Sequence, residues 1–171
     1  PLPCPSGLYG STTGLSAISD CTPCPKGFWC SAGKAIACPL HTYNNVTGAD
    51  DQGDCISCPP HAVTEFTSAH SISQCICEEN YYDAEEPDQV RCKRCPLGAL
   101  CERQGRTLSH LRLRHGFYRA SNRSVDVRRC PDAVPNCSTT KCDGLLSGCL
   151  GEPTQPCVDG LRGHYCSKQS L

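Results

Sequence analysis

Cys21-Thr22-Pro23-Cys24-Pro25-Lys26-Gly27-Phe28-Trp29-Cys30 decides the fold. A Cys-x-x-Cys joint runs directly into Cys-Pro, a turn residue and an aromatic pair. Proline after cysteine fixes φ and favours an extended exit from the bridge. Glycine two residues further permits a turn with positive φ. The aromatic that follows is placed to lie over the disulfide as a minimal core. The same pattern opens the chain as Cys4-Pro5-Ser6-Gly7-Leu8-Tyr9 and returns as Cys38-Pro39-Leu40-His41-Thr42-Tyr43. Weaker copies are Cys58-Pro59-Pro60-His61-Ala62-Val63 and Cys95-Pro96-Leu97-Gly98-Ala99-Leu100. Further Cys-x-x-Cys joints stand at Cys55/Cys58 and Cys92/Cys95.

Spacing turns the repeat into a disulfide scheme. Cys4 to Cys21, Cys38 to Cys55 and Cys58 to Cys75 are each 17 positions apart, so each stretch reads as one closed loop. Eighteen cysteines allow an enormous number of pairings. Closing the 17-position loops first and pairing neighbours thereafter adds Cys24–Cys30, Cys77–Cys92 and Cys95–Cys101. The same rule applied to the tail predicts Cys130–Cys137, Cys142–Cys149 and Cys157–Cys166, with no thiol left over.

Composition agrees with a stapled chain. There are 18 Cys in 171 residues, beside 14 Pro, 15 Gly, three Phe, one Trp and no Met. That much cysteine marks a disulfide scaffold, and cytosolic thiols stay reduced. Three N-glycosylation sequons, at Asn45, Asn122 and Asn136, point to the same secretory compartment. The apolar residues are scattered, so the expectation is a row of small units that cannot fold on hydrophobic burial alone. A bridge closing a loop of about 15 residues is worth roughly 3 kcal/mol in the chain-entropy picture. The chain opens at Pro1 without the basic and apolar regions of a signal peptide, which reads as a mature fragment or a segment of something longer. No stretch approaches the roughly 20 apolar residues that cross a bilayer as a helix.

The net charge of −1 conceals a division along the chain. Residues 102–129 contain no Cys and eight Arg against Glu102 and Asp126, a net of +6. Residues 1–101 hold five Lys and Arg against eleven Asp and Glu, a net of −6. Within the basic segment Leu111-Arg112-Leu113-Arg114 alternates with period two and predicts a strand with leucines on one face. Phe117 and Tyr118 are expected on the same sheet. The ordinary reading is a small β unit with solvated arginines, some stacked on aromatics. The sharper reading is an interaction surface made of Arg112, Arg114, Arg119, Arg123, Arg128 and Arg129. Its natural partner is the acidic half of a second copy, with Asp50, Asp51, Asp54, Glu78 and Glu79 among its charges. An anionic glycan is a further candidate; nucleic acid is not expected in this compartment.

Several chemistries are weighed and set aside. Cys55/Cys58 and Cys92/Cys95 have zinc-ligand spacing, but zinc leaves the sequons and the remaining cysteines unexplained. Cys21-Thr22-Pro23-Cys24 has redox-loop spacing without the surrounding βαβ pattern. Asp50, Asp51 and Asp54 lack a calcium-loop spacing. The six histidines share no spacing, and no Ser, His and Asp grouping suggests a hydrolase. No catalytic residue, cofactor or metal is expected.

The run of Cys-Pro-x-Gly-x-aromatic units over residues 1–101 resembles the ephrin-receptor-like cysteine-rich repeats, within the wider growth-factor-receptor and TNF-receptor type of module. His41 and His61 depart from the pattern, standing where glycine is usual. Cys157-Val158-Asp159-Gly160-Leu161-Arg162-Gly163-His164-Tyr165-Cys166 is similar to the last loop of EGF and laminin-type EGF modules. Gly116-Phe117-Tyr118-Arg119-Ala120-Ser121 resembles a segment of large surface proteins of algae and other protists. These resemblances imply a small disulfide-rich, mostly β or irregular fold: an elongated tandem array of modules with short two-stranded ribbons and little helix. Five segments are expected: 1–37, 38–76 and 77–101 as cysteine-rich repeats, 102–129 as the basic β segment, and 130–171 as a cysteine-rich, EGF-like end. The functional expectation is a non-enzymatic structural or adhesive component of an extracellular or cell-surface assembly, carrying N-linked glycans. Its expected partners are copies of itself or other matrix and surface proteins. The alternative is the ectodomain of a receptor that binds a protein ligand.

Overall fold

The computed structural model describes residues 4–10, 17–138, 142–151, 157–159, 161–162, 165–166 and 168–169. These form a small disulfide-rich, mostly β fold: nine two-stranded sheets, each joining strands adjacent in sequence. Among the described residues there is no α-helix, only three single 3-10 turns. The chain divides into two compact units. The first comprises Pro1–Cys77 with Glu86–Cys92, the second Glu78–Glu85 with Lys93–Leu171.

One turn generates the Cys-Pro ribbons of residues 4–101. The residue after cysteine accepts a hydrogen bond from the residue three further on: Pro5 from Leu8 at 3.1 Å, Pro25 from Phe28 at 3.2 Å, Pro96 from Ala99 at 3.0 Å. The residue before that donor sits at positive φ, +81° at Gly7 and Gly27 and +89° at Gly98. The cysteine that opens the following Cys-Pro unit then closes the ribbon on the turn carbonyl, Cys24 N–H to Gly7 at 2.9 Å and Cys38 N–H to Gly27 at 2.9 Å. His41 and His61 fill the glycine position at +69° and +62°. Histidine is among the side chains that tolerate this region, so the turn survives the departure.

Two copies of the turn carry weaker marks. Cys77-Glu78-Glu79-Asn80-Tyr81-Tyr82 lacks the proline and the glycine, yet Asn80 has φ +69°. Tyr81 N–H donates to Glu78 and Cys95 N–H to Asn80. The second copy has no cysteine at its start. Gly116 has φ +83°, Phe117 N–H donates to Arg114, and Cys130 N–H donates to Gly116 at 2.8 Å. The segment without cysteines thus contains a turn and ribbon of the same construction.

The 3-10 turns Ile18–Asp20, Gln52–Asp54 and Ile72–Gln74 each stand just before the second cysteine of a 17-position loop. Their last side chain accepts from backbone N–H groups that open the turn: Asp20 from Ala17, Asp54 from Asp50 and Asp51, Gln74 from His70. Asp51 takes Gly53 N–H at 2.7 Å. The Asp51 and Asp54 carboxylates are therefore used as caps, and neutral Gln74 fills the same role.

Disulfides join Cys4–Cys21, Cys24–Cys30, Cys38–Cys55, Cys58–Cys75, Cys77–Cys92, Cys95–Cys101 and Cys157–Cys166. The tail corrects the neighbour-pairing rule. Cys130 is bonded to Cys149, so Cys130–Cys137 and Cys142–Cys149 do not form. The reason is a nested hairpin. Strands Val134–Cys137 and Cys142–Leu146 pair with Cys137 opposite Cys142 in the ladder. Their base is drawn together by Asp132, which accepts from Ser147 Oγ at 2.8 Å and Gly148 N–H at 2.6 Å. That brings Cys149 back to Cys130. Cys137 is also disulfide-bonded. In the Cys157–Cys166 loop, Gly160, Gly163 and His164 lie outside the described residues.

The two units bury different material. In the first, the buried apolar residues are cysteines with Ala49, Ala62 and Ala69. In the second, Tyr82, Ala99, Cys101, Leu111 and Leu113 form an apolar cluster, with Leu108, Phe117 and Val127 packed against it. A further cluster gathers Cys130, Ala133, Cys149 and Cys166, with Tyr118 and Leu145 alongside.

Candidate interaction surface

Leu111 and Leu113 are buried, 1% and 6% exposed, while Arg112 and Arg114 are exposed. This is the alternation that the period-two pattern predicts. Strand Arg112–Leu113 pairs with Ala99–Leu100. Phe117 packs against the cluster that holds Ala99 and Leu113 of that sheet, while Tyr118 packs against the Cys130 cluster, and neither lies in its strands. Gly116 turns the chain, and Phe117–Arg119 pairs instead with Val127–Arg129.

The six arginines separate by what their guanidinium groups already hold. Arg119 is half-buried and donates to four backbone carbonyls: Leu108 at 2.7 Å, Leu111 at 2.9 Å, Asn122 at 3.1 Å and Ser109 at 3.2 Å. Burial lowers its pKa, and the nearby Glu85 carboxylate opposes that shift. Arg119 therefore works as an internal clamp, which removes it from the proposed surface. Arg128 pairs with Asp126 at 2.6 Å. The Arg128 hydrogen bond holds the Asp126 carboxyl below its usual range. Arg129 donates to the Ala133 carbonyl at 2.7 Å. Arg112, Arg114 and Arg123 lie exposed, Arg112 opposite Leu100 and Arg123 in the Ser121–Ser124 turn.

Glu85 holds the same loop from its other side. Its carboxylate accepts from Ser109 N–H at 2.6 Å and Ser109 Oγ at 2.7 Å. The loop also forms a parallel bridge through Thr107 to Asp83. Sequence reading missed the roles of Glu85 and Arg119, because a charged residue in a charge-rich run carries no mark of the carbonyls it will meet. Tyr118 packs edge-on against Tyr165 with ring centroids 4.8 Å apart. A hydrogen bond with Tyr165 raises the Tyr118 pKa, with burial adding to the shift.

The cysteine joints hold no thiolate. Cys55 is bonded to Cys38 and Cys58 to Cys75, Cys92 to Cys77 and Cys95 to Cys101. Each Cys-x-x-Cys thus carries sulfurs of two different loops, which makes it a mechanical joint. Cys130, Asp132 and Cys149 bring potential ligand atoms close together, but the two sulfurs are bonded to each other. The three sequon asparagines, Asn45, Asn122 and Asn136, are all exposed. Asn45 follows Asn44, which is fully buried and satisfied: its Nδ2 donates to Phe28 at 2.8 Å and its Oδ1 accepts from Val46 N–H at 3.0 Å.

Residues 30–75 match the family described as tyrosine-protein kinase ephrin type A/B receptor-like. The match takes in the Cys38–Cys55 and Cys58–Cys75 loops. Cysteine repeat modular protein A of Toxoplasma gondii is 25% identical over 115 residues, an alignment covering 57% of this chain. The chain spans 3% of the length of that relative.

Proposed function

We propose that this cysteine-rich module is a non-enzymatic structural part of an extracellular or cell-surface assembly, one that grows by contact between copies and carries N-linked glycans at Asn45, Asn122 and Asn136. The observation that carries this reading is how the ribbons use their own backbone. Gly7 N–H donates to Cys30, Gly27 N–H to Asn44, Asn44 N–H to Ala69 and Asn80 N–H to Cys101, each at 2.8 to 2.9 Å. Groups that elsewhere would line a binding pocket hold one ribbon to a later one. Such a stack resists extension and leaves its loops and turn tips for contact. The charge division supports self-association, although Arg119, Arg128 and Arg129 are engaged internally. The recognition load then falls on the exposed Arg114 and Arg123.

Sedimentation velocity on the oxidised chain tests the assembly reading. The expected result is association that weakens as salt rises, since exposed charges are screened within about 10 Å at 0.1 M. A monodisperse monomer at moderate salt and high concentration would sink it. The receptor reading keeps one favouring observation, the receptor-like description matched by residues 30–75. It requires the chain to capture a specific protein ligand from its own cell surface.

A further inference from the structure

The two most exposed large apolar residues among those described are Leu97, 87% exposed, and Phe66, 75% exposed. They have opposite shapes around them. Leu97 is the third residue of the Cys95-Pro96-Leu97-Gly98 turn, so its side chain stands at a tip. The corresponding residue in other copies is Ser6, Lys26, Leu40, Pro60 or Glu79; Leu40 is 47% exposed, so Leu97 stands out further than the other leucine at this position. Phe66 borders a hollow of about 290 Å3 whose other walls include Thr64, Glu65, Ala69, Ser73 and Ile76.

The charges around them have opposite signs. Exposed Arg94 lies three residues before Leu97. Exposed Arg114 is held beside the turn by its N–H bond to the Gly98 carbonyl at 2.7 Å. Glu65 is exposed on the wall of the hollow. An apolar tip flanked by cations and an apolar hollow with an acidic wall are complementary.

We propose that the Leu97 turn of one copy seats in the Phe66 hollow of a second copy, with Arg94 and Arg114 facing Glu65. The proposal rests on the self-assembly reading above and names its contact. Each copy offers one tip and one hollow, and the two patches differ. The contact is therefore heterologous and propagates from copy to copy unless the rotation closes a ring. It is small beside the roughly 1,000 Å2 expected of a stable pair, so association is concentration-dependent. A few fully desolvated side chains at the centre of such contacts carry most of the energy, while rim charges set rate and salt dependence.

The test uses two variants of the 171-residue chain, L97D and F66D, each at an exposed position and each checked for a full set of bridges. Sedimentation velocity is run on each alone and on an equimolar mixture. Each variant alone is expected to associate about tenfold or more weakly than the parent. The mixture is expected to form a one-to-one dimer and nothing larger, because L97D keeps its hollow and F66D keeps its tip. A parent chain that associates while either variant associates equally well overturns this contact and leaves the assembly reading standing. A mixture that fails to dimerise also overturns it. A parent that never associates overturns both.

Discussion

At Arg119 the guanidinium bridges Leu108, Ser109 and Leu111 on one side and Asn122 on the other. These carbonyls belong to the stretch where the cysteines stop. Leu111, 1% exposed, is the largest fully buried side chain described and lies in the same stretch. Covalent staples are replaced there by an apolar cluster and a charged clamp. Arginine suits the task because its planar fork offers five donors in fixed directions, whereas lysine offers three from a single point. Arg119→Lys preserves the charge and is expected to lose at least two of the four bonds. Leaving carbonyls of a half-buried loop unsatisfied costs about 1–3 kcal/mol. The guanidinium chloride midpoint of the oxidised protein should fall, and amide exchange should quicken over residues 108–113, with every disulfide intact. If Arg119 served only as a surface cation, lysine would be silent in both measurements.

At the scale of the element, the repeated turn sorts its central residues by the space around them. A Cβ at Gly27 would overlap the Ser68 carbonyl oxygen, and one at Gly98 would overlap the Phe117 ring. His41 fills the equivalent position with its side chain exposed, and its N–H donates to Thr64 Oγ1 at 2.9 Å. Gly27→Ala therefore meets both a backbone collision and a positive φ, and should cost more than about 2 kcal/mol. His41→Gly relieves the left-handed backbone but adds freedom to the unfolded chain, and should stay within about 1 kcal/mol. Denaturant titration of the two variants side by side gives the ordering. A Gly27→Ala chain as stable as its parent would refute the account of the turn. The same comparison explains what the sequence makes visible. Pro and Cys leave marks at fixed offsets, so the Cys24 and Cys38 copies are legible. The Asn80 copy has lost its proline and glycine, and the Gly116 copy has lost its cysteine. Only hydrogen bonds identify them. Cys130–Cys149 escaped because pairing by sequence order cannot see a hairpin nested between two cysteines. Of the arginine surface, composition showed the charge, but only the positions of the carbonyls showed which cations were already occupied.

For the molecule as a whole, the described bridges follow one another along the chain without overlap, each closing its own loop. Cys4 to Cys92 are closed among themselves by five bridges. From Cys95 onward the described bridges are Cys95–Cys101, Cys130–Cys149 and Cys157–Cys166. No described bridge spans Lys93 and Arg94, which are both exposed. A bridge restricts only the loop it closes, so successive loops are held to one another by backbone bonds and packing, as Asn80 N–H to Cys101 and Leu108 N–H to Asp83 show. The first compact unit buries sulfur and alanine, whereas the second adds Leu111, Leu113 and Tyr82, which comes from inside the Cys77–Cys92 loop. At the Lys93–Arg94 joint, as at residues 22–23, 31–37 and 56–57, no described bridge bypasses the backbone. A single tryptic cleavage at Lys93 or Arg94 without reductant should therefore release two fragments on a denaturing, non-reducing gel. Mass spectrometry of the digest should find no linked peptides joining a cysteine up to Cys92 with one from Cys95 onward. A cleaved chain that stays together until reductant is added would mean that a bridge crosses the joint, and the two lengths would then be one stapled body.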